Sequence, residues 1–291
     1  MKLDDLKLFV AVARAPGLRE AARQLGQSPG TVSKAIKRIE THYQQALFRR
    51  QGWALTEAGK MLFVRALELA QTLDKIDGEL GQPRRRHLRI SGSQALLSQF
   101  VAPILARLDT PVSVETQLAA DLVPLARHQV DLALLSTLSG ERPQGREWQA
   151  TELAQAQFVT VARPGHPLLS DCSEAVPIDR VLQQPFVVPA KPIYGQMSSQ
   201  TSLDGWYDEP FHRQIRARVE DVATLVSLVK ATDWLAYVPD YLAQSQGLAV
   251  LPVSGCPYTC EQVIWLCQPK PAVYHWLAPL SEGIAGQTDA S

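Results

Sequence analysis

The sequence predicts two units of different class, a small helical head and a larger α/β body. Residues 3–80 carry apolar side chains mainly at helical spacing. From His87 onward, short apolar runs alternate with helical patterns, the rhythm of βαβ units around a parallel sheet. The charge breaks at the same place. The formal net charge is zero over 291 residues, yet residues 1–90 hold 17 Lys and Arg against 9 Asp and Glu, and the remainder holds 12 against 20. A basic head on an acidic body directs only the head toward a polyanion.

Composition narrows the class further. A hydrophobic share of 46% with 20% charged residues fits an ordinary globular chain. No apolar run approaches the ~20 residues that span a bilayer. The opening MKLDDLKLFVAVARA is interrupted by Asp4, Asp5 and Lys7, unlike a secretory signal, so a cytoplasmic location without membrane contact is expected. Cys256, Cys260 and Cys267 follow a C-x3-C-x6-C spacing that matches no standard zinc pattern, and with Cys172 they read as reduced thiols. The P-loop, H-E-x-x-H and G-x-G-x-x-G motifs are missing from the sequence, and no catalytic residue, metal or cofactor is assigned.

In the head, Leu3, Leu6, Phe9 and Val10 mark a first helix, which Pro16-Gly17 ends. LREAARQL is a second, short helix that buries Ala22 and Leu25, leaves Arg19 and Arg23 outside and stops at Gly26. The third begins at SPGTVSKAIKRIE. Ser28 suits the N-cap, because its hydroxyl can accept a backbone amide, and Pro29 suits the first helical position. Val32, Ala35, Ile36 and Ile39 form an apolar face. Gly30, Ser33, Lys34 and Lys37 form the opposite one, small at the start and basic further on. That is what a recognition helix of a helix-turn-helix requires: small residues let its end enter the major groove, and free amides and basic side chains meet phosphates and base edges. Arg19, Ser28, Pro29, Gly30, Thr31, Ser33, Lys34, Lys37 and Arg38 are therefore the expected contacts to double-stranded DNA. Arg49 and Arg50 join them from a basic turn between two extended pieces, a small wing.

Thr56 caps a long helix from Glu57 to Leu80. Its stripe of Leu62, Leu69, Leu73, Ile76 and Leu80 suits pairing with a second copy, giving a homodimer or tetramer; packing on the chain's own core is the alternative. Gly81-Gln82-Pro83 ends the helix before a basic hinge at Arg84–Arg86.

In the body, HLRISGS, VSVETQL, VDLALLS, QFVTVA, PFVVPA, RQIRARV, WLAYVP, LAVLPV and VIWLCQP read as strands, with helices through Leu108, near Leu122–His128, at Val222–Ala231 and at Ala272–Ile284. The last helix is placed against the first subdomain. Two α/β lobes result, joined by crossovers near Arg163–Pro167 and Cys267–Lys270. Asp221 reads as a helix cap and His166 as structural. Ligands of open α/β sheets bind beyond the carboxyl ends of strands. That points to Ser93 and Gln94, to Ser136 and Thr137, and to Lys191 and Tyr194 as contacts for a small effector. The run QMSSQTS beside them reads as a flap. Arg127, Arg146, Lys191 and Arg218 allow the effector to be anionic.

The ordered set FVAVA, AARQL, S-x-x-x-V-S-x-x-I-K-x-I-E, LF-x-R and LTEAG across residues 3–59 resembles the LysR-type transcriptional regulators. Arg19 stands where family members usually carry serine or threonine, Pro29 near a usual glutamine, and the wing is short. The resemblance implies a winged helix-turn-helix domain at 1–58, a linker and dimerisation helix with hinge at 59–86, and an effector domain at 87–291 similar to periplasmic solute-binding proteins. Lobe I would cover about 87–163 and 269–291, and lobe II about 164–268. The implied function is sequence-specific DNA binding modulated by a small molecule between the lobes. A DNA-binding repressor without an effector is the alternative reading, and an enzyme on the α/β body a remote one.

Overall fold

The computed structural model describes residues 3–49, 53–79, 86–108, 111–138, 141–145, 147–170, 175–270, 277 and 280. The head comprises α1 (Leu3–Arg14), α2 (Leu18–Gln24), α3 (Pro29–Tyr43) and the long α4 (Glu57–Glu79). One core unites them, with Phe9, Val12, Ala22, Val32, Ile36, Ile39, Leu47 and Phe63 buried together. Gly26 adopts φ 62° just beyond α2, the left-handed turn expected there. Thr56 caps α4 by accepting the Gly59 amide at 3.0 Å, and its own hydroxyl donates to the Ala46 carbonyl at 2.6 Å. Gly59 has a separate reason to lack a side chain: a Cβ there would stand 2.1 Å from the Leu47 carbonyl oxygen.

The body runs β1 (Arg86–Gly92), α5 (Gln94–Ala106), β2 (Val112–Leu118), α6 (Val123–Ala126), β3 (Leu132–Leu138) and β4 (Trp148–Ala162). Then follow α7 (Pro167–Ser170), β5 (Val176–Pro177), α8 (Ile178–Leu182), β6 (Pro185–Pro189), β7 (Gln214–Val219), α9 (Val222–Ala231), β8 (Ala236–Pro239) and α10 (Asp240–Gln246). The short β9 (Ala249–Val250) and β10 (Val253–Ser254) precede β11 (Glu261–Pro269). Among the described residues, one sheet has the order β2-β1-β3-β11-β4-β8, with β9 also on β4. The first three strands are parallel, and β11 runs antiparallel between β3 and β4. β2 lies at the edge and shows it: Ser113, Glu115 and Gln117 alternate outward from half-buried Val112 and Val114.

Two cores flank the crossover. Leu88, Ile90, Leu132, Leu134, Leu153, Ala156 and Ile264 belong to lobe I, and Phe158, Val161, Phe186, Leu225, Tyr237 and Cys260 to lobe II. The chain therefore changes lobe inside β4, between Ala156 and Phe158, and returns between Cys260 and Ile264. The turns at Arg163–Pro167 and Cys267–Lys270, expected as crossovers, lie beyond those points. The cause is the unforeseen first half of β4: WQATELAQA is polar and alanine-rich, yet pairs with β11 through to Trp148↔Pro269. The final helix falls largely outside the described residues, but Leu277 and Leu280 are buried in the lobe I core. His166 is structural, its Nδ1 accepting the Leu168 amide at 3.2 Å and its Nε2 facing the Asp233 carbonyl at 3.1 Å.

The head also touches its own body. Arg14 pairs with Asp131 at 2.9 Å, and Asp131 accepts the Arg89 amide at 3.0 Å. Beside this pair, the rings of Phe63 and His128 lie 4.6 Å apart. Burial first, and then the positive charge of Arg14, push the His128 imidazole below its ordinary range. Unfolded, this ring gains a proton near pH 6.5; folded, it holds off until lower pH. Stability from this source is complete above that value and falls as the pH drops through it. His128 has φ 56°, which asparagine tolerates. In His128→Asn, the loss of melting temperature between about pH 7.5 and 5.5 should be smaller than in the parent. An unaltered acid limb in a thermal melt would overturn this.

Candidate functional site: the exposed face of α3 and the interlobe junction

The start of α3 is built by hydroxyl chemistry. Ser28 accepts the Thr31 amide at 3.1 Å, and the Ser28 and Thr31 hydroxyls share a hydrogen bond of 2.8 Å. Val32, Ala35, Ile36 and Ile39 are buried, so the opposite side faces solvent. Ser28, Pro29, Gly30, Thr31, Ser33, Lys34 and Lys37 are all exposed there. Among the described residues, Lys34 and Lys37 have no ion-pair partner, so both charges are free for an anion. Arg38 differs, since its guanidinium is paired with the buried carboxylate of Asp5 in α1. That pair fixes α3 on α1.

Arg19 is exposed on α2, and Arg49 is exposed at the start of the wing. Arg50 lies outside the described residues. The wing is braced from below. Glu40 accepts the Leu47 amide at 2.8 Å, Arg49 donates its amide to the Ala54 carbonyl at 2.7 Å, and Phe48 stacks on Trp53 at 4.7 Å. Of the expected pairing stripe, Leu62 packs partly on the head's own core, while Leu69 is 48% exposed. Leu73 and Ile76 lie in α4 with side chains outside the described set, and Leu80 is outside it altogether.

The second cluster forms where the lobes meet. Gln94, at the start of α5, reaches across and accepts the Val222 amide at 2.9 Å. The Ala95 amide donates to the Ile193 carbonyl at 3.1 Å. Ser136 donates to the Tyr194 carbonyl at 3.0 Å. Gly195 must lack a side chain here, because a Cβ would stand 2.1 Å from Ser136 Oγ. Asp221 caps α9, accepting the Thr224 amide at 2.7 Å.

Tyr194 thus enters the junction through its main chain. Its ring is buried in lobe II, edge-on to Phe158 at 5.6 Å, and burial drives its phenol pKa well upward. Lys191 is on the surface, paired with Glu220 at 2.5 Å. Thr137 accepts the Trp265 indole at 2.8 Å and donates to the Glu141 carbonyl. Arg127 and Arg218 are exposed; Arg146 lies outside the described residues.

Ser93 is the buried N-cap residue of α5, and its Oγ makes no hydrogen bond within the protein. Ser91 Oγ in β1 shares that condition, as does Gln262 Oε1 at the amino end of β11. Ser91 and Ser93 stand at the end of β1, whereas Gln262 pairs with Leu138 at the end of β3, five residues beyond the Ala133 that pairs with Ser91. Sequence reasoning missed Ser91 and Gln262. The signal for Gln262 was a polar residue directly before VIWLC, where the strand was begun two positions late.

Among the described residues no group of His, Cys, Asp and Glu is disposed to hold a metal ion, and no helix is long and apolar enough to cross a membrane. Cys260 and Cys267 are buried, and burial lifts both thiols to about 12; Cys256 is half-buried and Cys172 lies outside the described residues.

Residues 3–60 match the family described as bacterial regulatory helix-turn-helix protein, lysR family, and residues 81–277 match the LysR substrate binding domain. The chain is 28% identical over 203 residues to the RuBisCO operon transcriptional regulator of Allochromatium vinosum, covering 65% of this chain and 64% of that protein. It therefore spans just under two thirds of that regulator's length. It is 25% identical over 268 residues to the HTH-type transcriptional regulator TtuA of Agrobacterium vitis, covering 88% and 85%. Full-length LysG of Corynebacterium glutamicum, solved with bound effector Arg, shares the fold with a TM-score of 0.57 and 17% identity, covering 98% and 96%.

Ser28→Ala should cost about 1 kcal/mol, the worth of a cap whose amide loses its acceptor. Urea unfolding measures it. Stability equal to the parent would show that the hydroxyl pair contributes nothing to the start of α3.

Proposed function

Because the chain belongs to the LysR family of bacterial transcriptional regulators, we propose that α3 reads the major groove of duplex DNA and that a small molecule at the interlobe junction modulates this binding. The free, exposed charges of Lys34 and Lys37 on the capped face of α3 carry the first half of the reading. The contact set is Arg19, Gly30, Ser33, Lys34, Lys37 and Arg49, with Ser28, Pro29 and Thr31 presenting the helix start. Arg38 acts from behind, through Asp5. Arg50 extends the wing contact.

The second half rests on the buried hydroxyls of Ser91 and Ser93, which have no protein partner. Buried polar atoms are nearly always satisfied, so the two serine hydroxyls at the end of β1 favour a hydrogen-bonding ligand. Ser136 and Gln94 sit beside them, already engaged in holding the lobes. A regulator of the same fold with an arginine effector supports a small-molecule ligand. The ligand shifts the lobe equilibrium by its differential affinity for the closed arrangement. The protein acts in the cytoplasm as a homodimer or higher oligomer, because a helix-turn-helix reader gains affinity and specificity from two half-sites.

Lys34→Ala should weaken binding to an operator footprinted upstream of the protein's own gene and lower the salt-dependence slope by about one unit per half-site. Parent-like affinity and slope would remove α3 as the reading element. Leu69→Glu should reduce the sedimenting species of the full chain, since a half-exposed leucine on α4 becomes a charge in the paired seam. An unchanged oligomer would place pairing elsewhere.

A further inference from the structure

Lobe II holds a second cavity, of about 220 Å³, lined by none of the effector contacts named above. It lies between the lobe II half of β4, the loop at 205–211 and the segment 250–260. Its walls are aromatic: Phe158, Trp206, Tyr207, Phe211, Tyr237 and Tyr258 all face it. No Asp, Glu, Lys, Arg or His lines it.

These walls are held from behind. The fully buried Arg213 side chain pairs with Asp204 at 2.7 Å and with Asp208 at 3.0 Å. Its guanidinium lies 4.9 Å from the centre of the Trp206 ring. Trp206 in turn donates its indole N–H to the Phe211 carbonyl at 2.8 Å. On the facing side, the Tyr237 hydroxyl accepts the Cys260 amide at 3.2 Å. Gly205 brings the two sides together: it has φ 80°, and a Cβ there would stand 2.4 Å from Cys260 Sγ. At the rim, Tyr207 stacks on Tyr258 at 4.4 Å and 25°, with Phe211 edge-on to Tyr258.

A space whose walls are fixed by a buried ion-pair network has the preorganisation a ligand site needs. An apolar cavity of about 150 Å³ already admits benzene, so this one admits a ring with a substituent or a small fused pair. The uncharged lining leaves nothing to offset the desolvation of an ion. Gln157, Thr160, Thr259 and the Cys256 thiol contribute to the polar lining. We propose that this cavity is a second ligand site, separate from the interlobe junction, which takes a small neutral aromatic molecule carrying one hydroxyl or N–H.

Cys256 reports on it directly, because this half-buried thiol lines the space while Cys260 and Cys267 are buried. In the full chain carrying Cys172→Ser, indole or phenol should protect Cys256 from a thiol-reactive chromogenic disulfide. At ten times the dissociation constant the rate should fall by roughly tenfold, by mass action. Val253→Phe, which fills the space, should abolish the protection. Thr259→Phe at the exposed rim is the second variant should the first fail to fold, and calorimetric titration of indole into both gives a readout independent of the thiol. Absence of protection by indole and phenol up to their solubility would overturn the site. So would indole heats that persist in the folded filling variant, or benzoate protecting as well as phenol. A failed operator titration with Lys34→Ala would leave these outcomes untouched, so the two readings stand or fall separately.

Discussion

The body depends on one antiparallel pair, β4 with β11. β4 serves both lobes: it pairs with β11 from Trp148 to Gln157 and then with β8 from Phe158 to Val161. β11 is also bonded to β3, which joins the pair to the parallel half of the sheet. The lobes are thus continuous through hydrogen-bonded backbone and cannot part; they can only turn about these strands. Ser136, Gln94 and the Ala95 amide then meet lobe II main chain across the gap, and all three contacts are single hydrogen bonds. Such bonds are each worth about 1 kcal/mol net, small enough for a ligand to tip.

How much was legible in the sequence follows from where side-chain identity matters. The buried face of α3 was readable because Val32, Ala35, Ile36 and Ile39 repeat with the helix period and Ser28-Pro29 mark its start. Leu62 repeats with the same period, and period alone does not say whether a stripe faces a second copy or the chain's own core, on which Leu62 partly packs. The first half of β4 was hidden because WQATELAQA buries small alanines between polar residues. The helix α10 was hidden by its seven-residue length, although Gly247, with φ 61°, marks its end. At the lobe junction the partners of Gln94 and Ser136 are the Val222 amide and the Tyr194 carbonyl, and a main-chain group leaves no trace in the residue that carries it.

Lys191 and Arg213 show the same lesson for charge. Lys191 followed a predicted strand and read as a cleft residue, but an exposed pair with Glu220 occupies it. Arg213 opens RQIRARV, which read simply as a strand. It is the buried cation of lobe II, bracketed by Asp204 and Asp208 and laid over Trp206 and Phe186. A buried charge persists only with its partners, and those lie in a loop whose course no pattern of hydrophobicity announces.

The contact between Arg14 and Asp131 gives the molecule a lever. It ties α1 to lobe I, and Phe63 on His128 ties α4 to the same place, so the head and lobe I turn as one arm. The fulcrum is the β4–β11 pair, and lobe II is the opposite arm. A rotation at those strands would carry α1 and α4 along with lobe I, because both are tied to it by these contacts.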